Sequence, residues 1–202
     1  MLPSQKLKIA DLSERLGVSP NAVREALSRM TSEGLVTSEP QRGFWVAPVS
    51  ESDLEDLTLV RVEIESNCLR RAIAVGDVAW ETRVVATFHR LSRTPERDPE
   101  NPAQSNEAWN VAHRAFHEAL VSACDSAWWL KLRELLYTQS ERYRRLSVPL
   151  AKQKRDAAAE HRALVEAVLA RDADRACNLI AAHLKLTTRL LLGGQLQSPE
   201  PP

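Results

Sequence analysis

The chain has 202 residues, of which 44% are hydrophobic, so it is long enough for one large domain or two smaller ones. Basic and acidic side chains number 27 each, which argues against a protein that binds nucleic acid through overall basicity. Three widely spaced cysteines argue against a disulfide framework, and no apolar run approaches the ~20 residues that span a bilayer. Because the N-terminus also lacks a secretion signal, we expect a cytoplasmic protein with no membrane partner.

The first elements predicted along the chain are two short helices joined by a tight turn. Apolar residues recur at helical spacing over 8–16, and Gly17 ends this helix. Ser19 is a suitable N-cap for a second helix that has Pro20 in its first position and ends at Gly34. Two helices separated by Gly-Val-Ser form a helix-turn-helix. The apolar face is predicted to comprise Ile9, Leu12 and Leu16 in the first helix and Val23, Ala26, Leu27 and Met30 in the second.

A β-hairpin is predicted directly after the second helix. Residues 35–38 and 44–49 have strand character, and the polar segment 39–43 between them has turn character. A helix-turn-helix followed by a hairpin is a winged helix. The sequence therefore predicts a winged helix-turn-helix domain over residues 1–49.

The remainder of the chain has an almost wholly helical pattern from residue 52 onward. The proline-rich segment 94–104 predicts a loop, and the tail 194–202 is expected to be disordered. The fold class is therefore mainly α: the winged helix is followed by an all-α helical bundle over 52–193. Helices are predicted at about 52–75, 77–93, 106–124, 126–147, 150–171 and 174–192.

The second helix of the predicted helix-turn-helix carries side chains suited to DNA. Such a helix enters the major groove, where Arg24 can hold guanine and Asn21 can hold adenine. Residues 1–50 carry six basic and five acidic side chains, so one copy should bind weakly and a homodimer on a palindromic operator is expected. The alternative is a small helical subdomain used for protein contacts. The predicted DNA-contacting residues are Ser19, Asn21, Arg24, Arg29, Arg42 and Gly43.

All five histidines fall in the helical region, and four of them have a spacing typical of a metal site. His113 and His117 lie at i and i+4, which places both imidazoles on one helix face, while His161 and His183 lie on separate later helices. Three helices of a bundle can bring the four rings to one interior point, and imidazole suits Zn²⁺ and Ni²⁺. The alternative is four separate histidines with no metal. His89 has no partner in this pattern and is interpreted as structural or exposed.

The N-terminal motifs resemble those of the GntR family of bacterial transcription regulators. The strings GVS, VREAL, EGLV and RGFWV occur in this order and spacing within residues 17–46. The resemblance implies that Ser19, Arg24 and Gly43 contact DNA. Two features differ: Pro20 replaces an arginine that is common after GVS, and the family usually begins with one more helix. Either the start is truncated or the predicted DNA-binding domain lacks its first helix.

The C-terminal motifs FHEAL, EHRALVEAV, RDADRA and AAHL resemble the ligand-binding FCD domain of the FadR branch of the GntR family. In many such domains an aspartate, the FH histidine and two later histidines bind a divalent metal. The resemblance assigns the three histidines to His117, His161 and His183. His113 replaces the aspartate, which removes one negative charge and favours Zn²⁺, with Ni²⁺ as the alternative.

The same resemblance implies a small organic acid that binds at or near the metal. A carboxylate binds well to a fixed guanidinium, so Arg61 and Arg142 are candidates for the effector site, together with Asn110. Binding of this acid is expected to alter the spacing of two DNA-binding domains and to release a repressor from its operator. For each arginine the alternative is a solvated or interface charge.

Two other function classes fit part of the sequence. A metal-dependent hydrolase would use the histidines with Glu118 or Glu160 as general base, but the motif differs from H-E-x-x-H because Arg114 follows His113. This class also leaves the winged helix without a role. A DNA-binding dimer with no metal and no effector is the second alternative.

Overall fold

A computed structural model describes residues 3–101, 104–147 and 155–193. The chain divides into two compact units, an N-terminal unit that ends at Asp53 and a helical unit that begins at Leu54. The predicted disordered tail and the first part of the helix predicted over 150–171 lie outside the described residues. Within the described ranges, no helix is long and apolar enough to cross a bilayer.

The N-terminal unit contains the predicted helix-turn-helix and hairpin, with one further strand. The two hairpin strands pair in antiparallel fashion. The further strand pairs with the second hairpin strand, which therefore lies in the centre of the sheet. This strand was not predicted, since two residues are too few for an alternating pattern to show. The elements are β1 (Lys6–Leu7), α1 (Ile9–Leu16), α2 (Pro20–Ser32), β2 (Val36–Glu39) and β3 (Gly43–Val46).

The turn between α1 and α2 follows from its residue types. Gly17 ends α1 with a φ of 65°, a left-handed conformation that glycine adopts without steric cost. The Ser19 side chain accepts a hydrogen bond from the Ala22 backbone N–H at 3.2 Å and caps α2. The predicted apolar face was partly wrong, because Leu16 and Met30 are exposed. The small core comprises Leu7, Leu12, Val23, Leu27 and Val36.

The helical unit consists of six helices, as the periodicity predicts, among the residues that the structure describes. The largest difference between the predicted and the observed helix bounds concerns α7. This helix begins at Ala157 because the Asp156 side chain accepts a hydrogen bond from the Ala159 backbone N–H at 2.9 Å. The prediction that helix already covers residues 155 and 156 was therefore wrong. The helices are α3 (Glu51–Val75), α4 (Val78–Ser92), α5 (Glu107–Val121), α6 (Ala127–Ser147), α7 (Ala157–Leu169) and α8 (Ala173–Gly193).

The core of the helical unit surrounds α5, which packs on α4, while α7 packs on both α4 and α8. The fully buried Phe116 and Leu120 lie on α5 within this core. Two buried polar contacts fix α3 against its neighbours: Thr58 hydrogen-bonds Thr188 of α8 at 2.6 Å, and Arg133 of α6 pairs with a glutamate of α3 at 3.1 Å. This packing brings one face of α3, α5, α6, α7 and α8 to a common interior space.

Candidate functional site

Four buried histidines meet at one point inside the helical unit. His113 and His117 come from α5, His161 from α7 and His183 from α8. One ring nitrogen of each lies within 4.8 Å of the corresponding nitrogen of every other. We refer to these four residues as the histidine cluster. Its nitrogens are close enough for a single metal ion to bind all four after small side-chain adjustments.

Aromatic packing holds the rings of the histidine cluster in place. The imidazole of His113 stacks on Trp109, with ring centroids 4.6 Å apart. Phe116 meets His117 and His161 edge to face, at centroid distances of 5.4 and 5.2 Å. Because α5 makes one turn in 3.6 residues, the i, i+4 pair faces the cluster while Phe116 anchors the same helix in the core.

The ring nitrogens of the histidine cluster are largely without hydrogen-bond partners among the described residues. His113 Nδ1, both nitrogens of His117 and Nε2 of His161 are buried and unpaired. A buried polar atom without a partner costs ~1–3 kcal/mol. Several such atoms aimed at one point are a typical feature of a binding site, because a bound ion would satisfy them together.

Burial and nearby positive groups keep these histidines neutral. Burial is the main cause that lowers the pKa of all four, and Arg144, Arg155, Arg61 and the neighbouring histidines lower it further in particular cases. The pKa of His161 falls from 6.5 to about 2. Neutral imidazole is the form that binds a metal, so the cluster is ready to bind one at neutral pH.

Glu160 orients His183 from outside the cluster. Its Oε2 lies 2.9 Å from His183 Nδ1, and Arg155 donates to both carboxylate oxygens of Glu160 at 2.7 and 2.8 Å. Burial by itself would raise the pKa of Glu160, but hydrogen bonds from Arg155 and His183 lower it to about 2. When Nδ1 donates to this carboxylate, Nε2 keeps its lone pair for a metal.

A cavity of about 330 Å³ opens beside the histidine cluster, and we call it the main cavity. All four histidines line it, together with four arginines and two glutamates. Arg61 of α3 is buried, donates to Ser140 of α6 and pairs with Glu65 at 3.4 Å. The charged residues of the lining are Arg61, Arg97, Arg144, Arg155, Glu96 and Glu141.

The three side chains predicted to bind an effector have different positions. Arg61 lines the main cavity, whereas Arg142 and Asn110 are not among its lining residues. Arg144 takes the position expected of Arg142, since two residues along a helix turn the side chain by about 200°. Asn110 accepts a hydrogen bond from Arg144 Nη2 at 2.8 Å and so positions that guanidinium. Arg142 and Arg144 lie in the same arginine-rich stretch of α6, so the sequence alone does not show which of the two faces the cavity.

The predicted DNA-binding side chains of α2 lie on the surface of the N-terminal unit. Ser19, Asn21 and Arg24 are all exposed at or near the start of the helix. Arg24 Nη1 donates to Asn21 Oδ1 at 3.1 Å, so the two side chains already lie side by side. This arrangement suits contacts to adjacent base edges.

The remaining predicted DNA contacts lie on α2 and at the hairpin. Arg29 is 4.0 Å from Glu25, and Arg42 donates to Glu39 at 2.6 Å, in both cases at the surface. Exposed ion pairs contribute at most ~1 kcal/mol, so a phosphate can replace either glutamate. Gly43 is half-buried and has a φ of 109°, a value that requires glycine at the start of β3.

Both parts of the chain match known protein families. Residues 1–46 match the model of bacterial regulatory proteins of the gntR family, and residues 56–186 match the model of the FCD domain. The chain is 44% identical over 180 residues to the HTH-type transcriptional regulator BphR of Paraburkholderia xenovorans (strain LB400), covering 89% of this chain and 74% of that protein.

A second relative is similar in sequence, and a solved structure has a similar fold. The chain is 37% identical over 189 residues to the HTH-type transcriptional repressor GlaR of Escherichia coli (strain K12), covering 90% of this chain and 84% of that protein. The structure of Escherichia coli McbR/YncC superimposes with a TM-score of 0.78 at 20% identity, covering 96% of this chain and 89% of that one. At this identity the superposition shows a shared fold only.

Proposed function

We infer that this chain, which belongs to the GntR family of bacterial regulators and carries an FCD domain, controls transcription through a metal-dependent response to a small organic acid. Its family consists of DNA-binding transcription regulators and not of enzymes. The proposal concerns the metal, the effector, the homodimer and the direction of regulation. The observation that carries it is the convergence of four buried imidazoles, three of which have ring nitrogens without hydrogen-bond partners among the described residues.

The proposed metal is Zn²⁺, with Ni²⁺ as the alternative. Among the described residues, the cluster offers neutral nitrogen ligands and no carboxylate at its centre, a donor set that suits these borderline ions better than Mg²⁺ or Mn²⁺. Glu160 would fix the ring of His183 from outside. A metal held by the four imidazoles would supply a further positive charge for the carboxylate of an effector.

The proposed effector is a small carboxylate that binds in the main cavity. The cavity combines the histidine cluster with Arg61, Arg144 and Arg155, so positive charge exceeds negative charge in its lining. A guanidinium that is fixed in place before binding recognises a carboxylate strongly, and Arg144 is fixed by Glu141 at 2.6 Å and by Asn110 at 2.8 Å. Both partners help to hold the planar group in one orientation.

The proposed mechanism is release of a homodimeric cytoplasmic repressor from a palindromic operator. A similar protein, GlaR, is named a transcriptional repressor. Since the cavity is lined by residues of α3, α5, α6, α7 and α8, an effector there contacts most of the helices of the unit and can favour one packing of them over another. Two copies of α2 would supply the affinity that a single copy with nearly balanced charge lacks.

Metal binding is tested by removing metal with a chelator and titrating Zn²⁺ calorimetrically. We expect one Zn²⁺ per chain and loss of binding in His161→Leu, with His89→Ala as the control because His89 is exposed and outside the cluster. Absence of Zn²⁺ and Ni²⁺ binding in the folded wild-type protein would favour a DNA-binding dimer without metal or effector.

Regulation is tested by fluorescence anisotropy with the intergenic DNA upstream of the protein's own gene at two salt concentrations. We expect specific binding by the zinc-loaded protein, and weaker binding when a saturating carboxylate is added at fixed salt. Unchanged DNA affinity in the presence of a carboxylate that binds the protein would contradict the coupling.

A further inference from the structure

A second cavity adjoins the main cavity of the helical unit. Its volume is about 220 Å³, and its lining includes residues of α4, α5 and α7. The two cavities share part of their walls and therefore adjoin each other beside the histidine cluster. The shared residues are Glu96, Trp109, Arg155, Ala157 and His161.

The charge of the second cavity is opposite to that of the main cavity. Its charged lining consists of one arginine and two acidic residues, whereas four arginines and two glutamates line the main cavity. The arginine is Arg155, whose guanidinium already binds Glu160 and lies 2.9 Å from His183 Nδ1. A negatively charged group in the second cavity would therefore meet Glu96 and Asp156 without a guanidinium of its own.

The uncharged part of the second cavity suits a neutral group. Phe88, Leu91 and Trp109 supply apolar surface, and two alanines widen the wall on the side of α7. Two hydroxyl side chains, those of Ser92 and Thr94, are also in the lining. Polar and apolar side chains contribute comparable parts of the lining, and sites that recognise small molecules combine the two.

We propose that the second cavity receives the uncharged tail of the effector, which is therefore a monocarboxylic acid with a neutral tail rather than a short diacid. This inference rests on the proposed function, since it places the carboxylate in the main cavity beside the histidine cluster. Trp109 and His161 line both cavities, so the carboxylate and the tail would bind on either side of these two residues.

Three acids of matched chemistry test the proposal on the zinc-loaded full chain. Acetate has no tail, hexanoate has a neutral tail, and adipate has the same number of carbons as hexanoate but a charged end. We expect hexanoate to bind at least about tenfold more tightly than acetate, because burial of each methylene group is favourable, and adipate to bind more weakly than hexanoate. Calorimetry measures all three affinities.

A substitution that fills the second cavity tests whether the tail of the effector binds there. Ala158 lines the second cavity and not the main one, so Ala158→Phe should lower the affinity for hexanoate at least about tenfold and leave that for acetate within about twofold. Ala159→Phe is the matched control, because the neighbouring Ala159 is exposed on the same helix turn and lines neither cavity. Circular dichroism confirms that both variants fold.

The outcomes separate the two proposals. If acetate binds but hexanoate binds no better, if adipate binds as tightly as hexanoate, or if Ala158→Phe affects acetate and hexanoate equally, the second cavity does not hold the tail and the proposed function stands. If none of the three acids binds the zinc-loaded protein, the carboxylate effector is wrong and this inference fails with it.

Discussion

The N-terminal unit and the helical unit place their functional side chains in opposite environments. In the N-terminal unit Arg24, Arg29 and Arg42 are exposed, and each pairs with a neighbour no more than four residues away in sequence. In the helical unit the histidine cluster is buried. Its members come from three helices and lie up to 70 residues apart in the sequence. The first arrangement needs only a correct local helix, whereas the second needs the whole bundle.

The difference shows how the two kinds of site tolerate polar groups. An exposed arginine keeps its hydration until DNA replaces it, so the N-terminal unit holds its charges at little cost to stability. The buried histidines lose their hydration on folding, and several ring nitrogens receive no hydrogen bond from the described residues in exchange. The prearranged set of ligands therefore lowers the free energy of unfolding of the helical unit, and this decrease is measurable.

The largest expected effect of this contrast is a dependence of stability on pH that is confined to the helical unit. All four cluster histidines have a pKa below the value of 6.5 that they have in the unfolded chain. Below pH 6.5 the unfolded chain therefore binds protons that the folded chain excludes, and each histidine lowers the unfolding free energy by up to ~1.4 kcal/mol per pH unit. This loss begins near pH 6.5 and continues toward the folded pKa, about 2 for His161.

Urea unfolding of metal-free protein between pH 7.5 and pH 5.5 measures this dependence. In a Trp45→Phe background the four remaining tryptophans all report on the helical unit. His117→Leu should reduce the slope, since leucine does not titrate, while His89→Ala should leave it nearly unchanged. The N-terminal unit contains no histidine, so an equal loss of stability there would contradict the explanation.

The next largest effect concerns metal affinity. His117→Leu should lower the affinity for Zn²⁺ by at least about 100-fold, because one of four ligands is lost while other changes around a metal site already cost 10–100-fold. Neither ring nitrogen of His117 has a hydrogen-bond partner within the described part of the chain, so the substitution breaks no such bond and the variant should fold. Calorimetry with His89→Ala as control checks this, and retained wild-type affinity would exclude the cluster as the metal site.

A loss of affinity of similar magnitude is expected when one exposed side chain of the N-terminal unit is removed. Arg24→Ala should cost ~1–3 kcal/mol of specific DNA binding, if Arg24 holds a base as proposed. Arg162→Ala removes the same charge from an exposed position of the helical unit and should have almost no effect. Anisotropy with specific and unrelated DNA separates base contact from phosphate contact, since loss of a phosphate contact would weaken both equally.

The sequence predicted the N-terminal unit in most of its details because its signals are local. Gly17, Ser19 and Pro20 act on their own backbone, and their caps and turn lie where the pattern predicts. The exposure of Leu16 and Met30 was not predictable in this way, because helical periodicity identifies an apolar stripe without showing what covers it. The strand β1 also depends on pairing with β3, a contact far along the chain.

The helical unit was predictable in its elements and in its histidines, but not in the second half of its site. Helical spacing and family resemblance both pointed to the four histidines, and the structure brings them together. Arg144 lines the cavity and Arg142 does not, because of the rotation of α6 about its axis. The buried ion pair of Arg133 with Glu65 helps to fix this rotation. Arg155 and Glu160 could not be paired with His183 from spacing, since their contacts form between α8 and the start of α7.

The smallest expected effect tests whether Glu160, which orients His183 from outside the cluster, contributes as much to metal affinity as the ligands themselves. Glu160→Gln keeps the size of the side chain and removes its charge, so the hydrogen bond to His183 weakens and Zn²⁺ affinity should fall about tenfold. Glu118→Gln is the matched control, because Glu118 is exposed and binds Arg114 on the outer face of α5. If Glu160→Gln binds Zn²⁺ as tightly as the wild type, packing alone orients His183, and the role of Glu160 is limited to holding Arg155. A fall of 100-fold or more would instead mean that this carboxylate acts as a ligand, which would make the metal centre resemble those that contain an acidic residue.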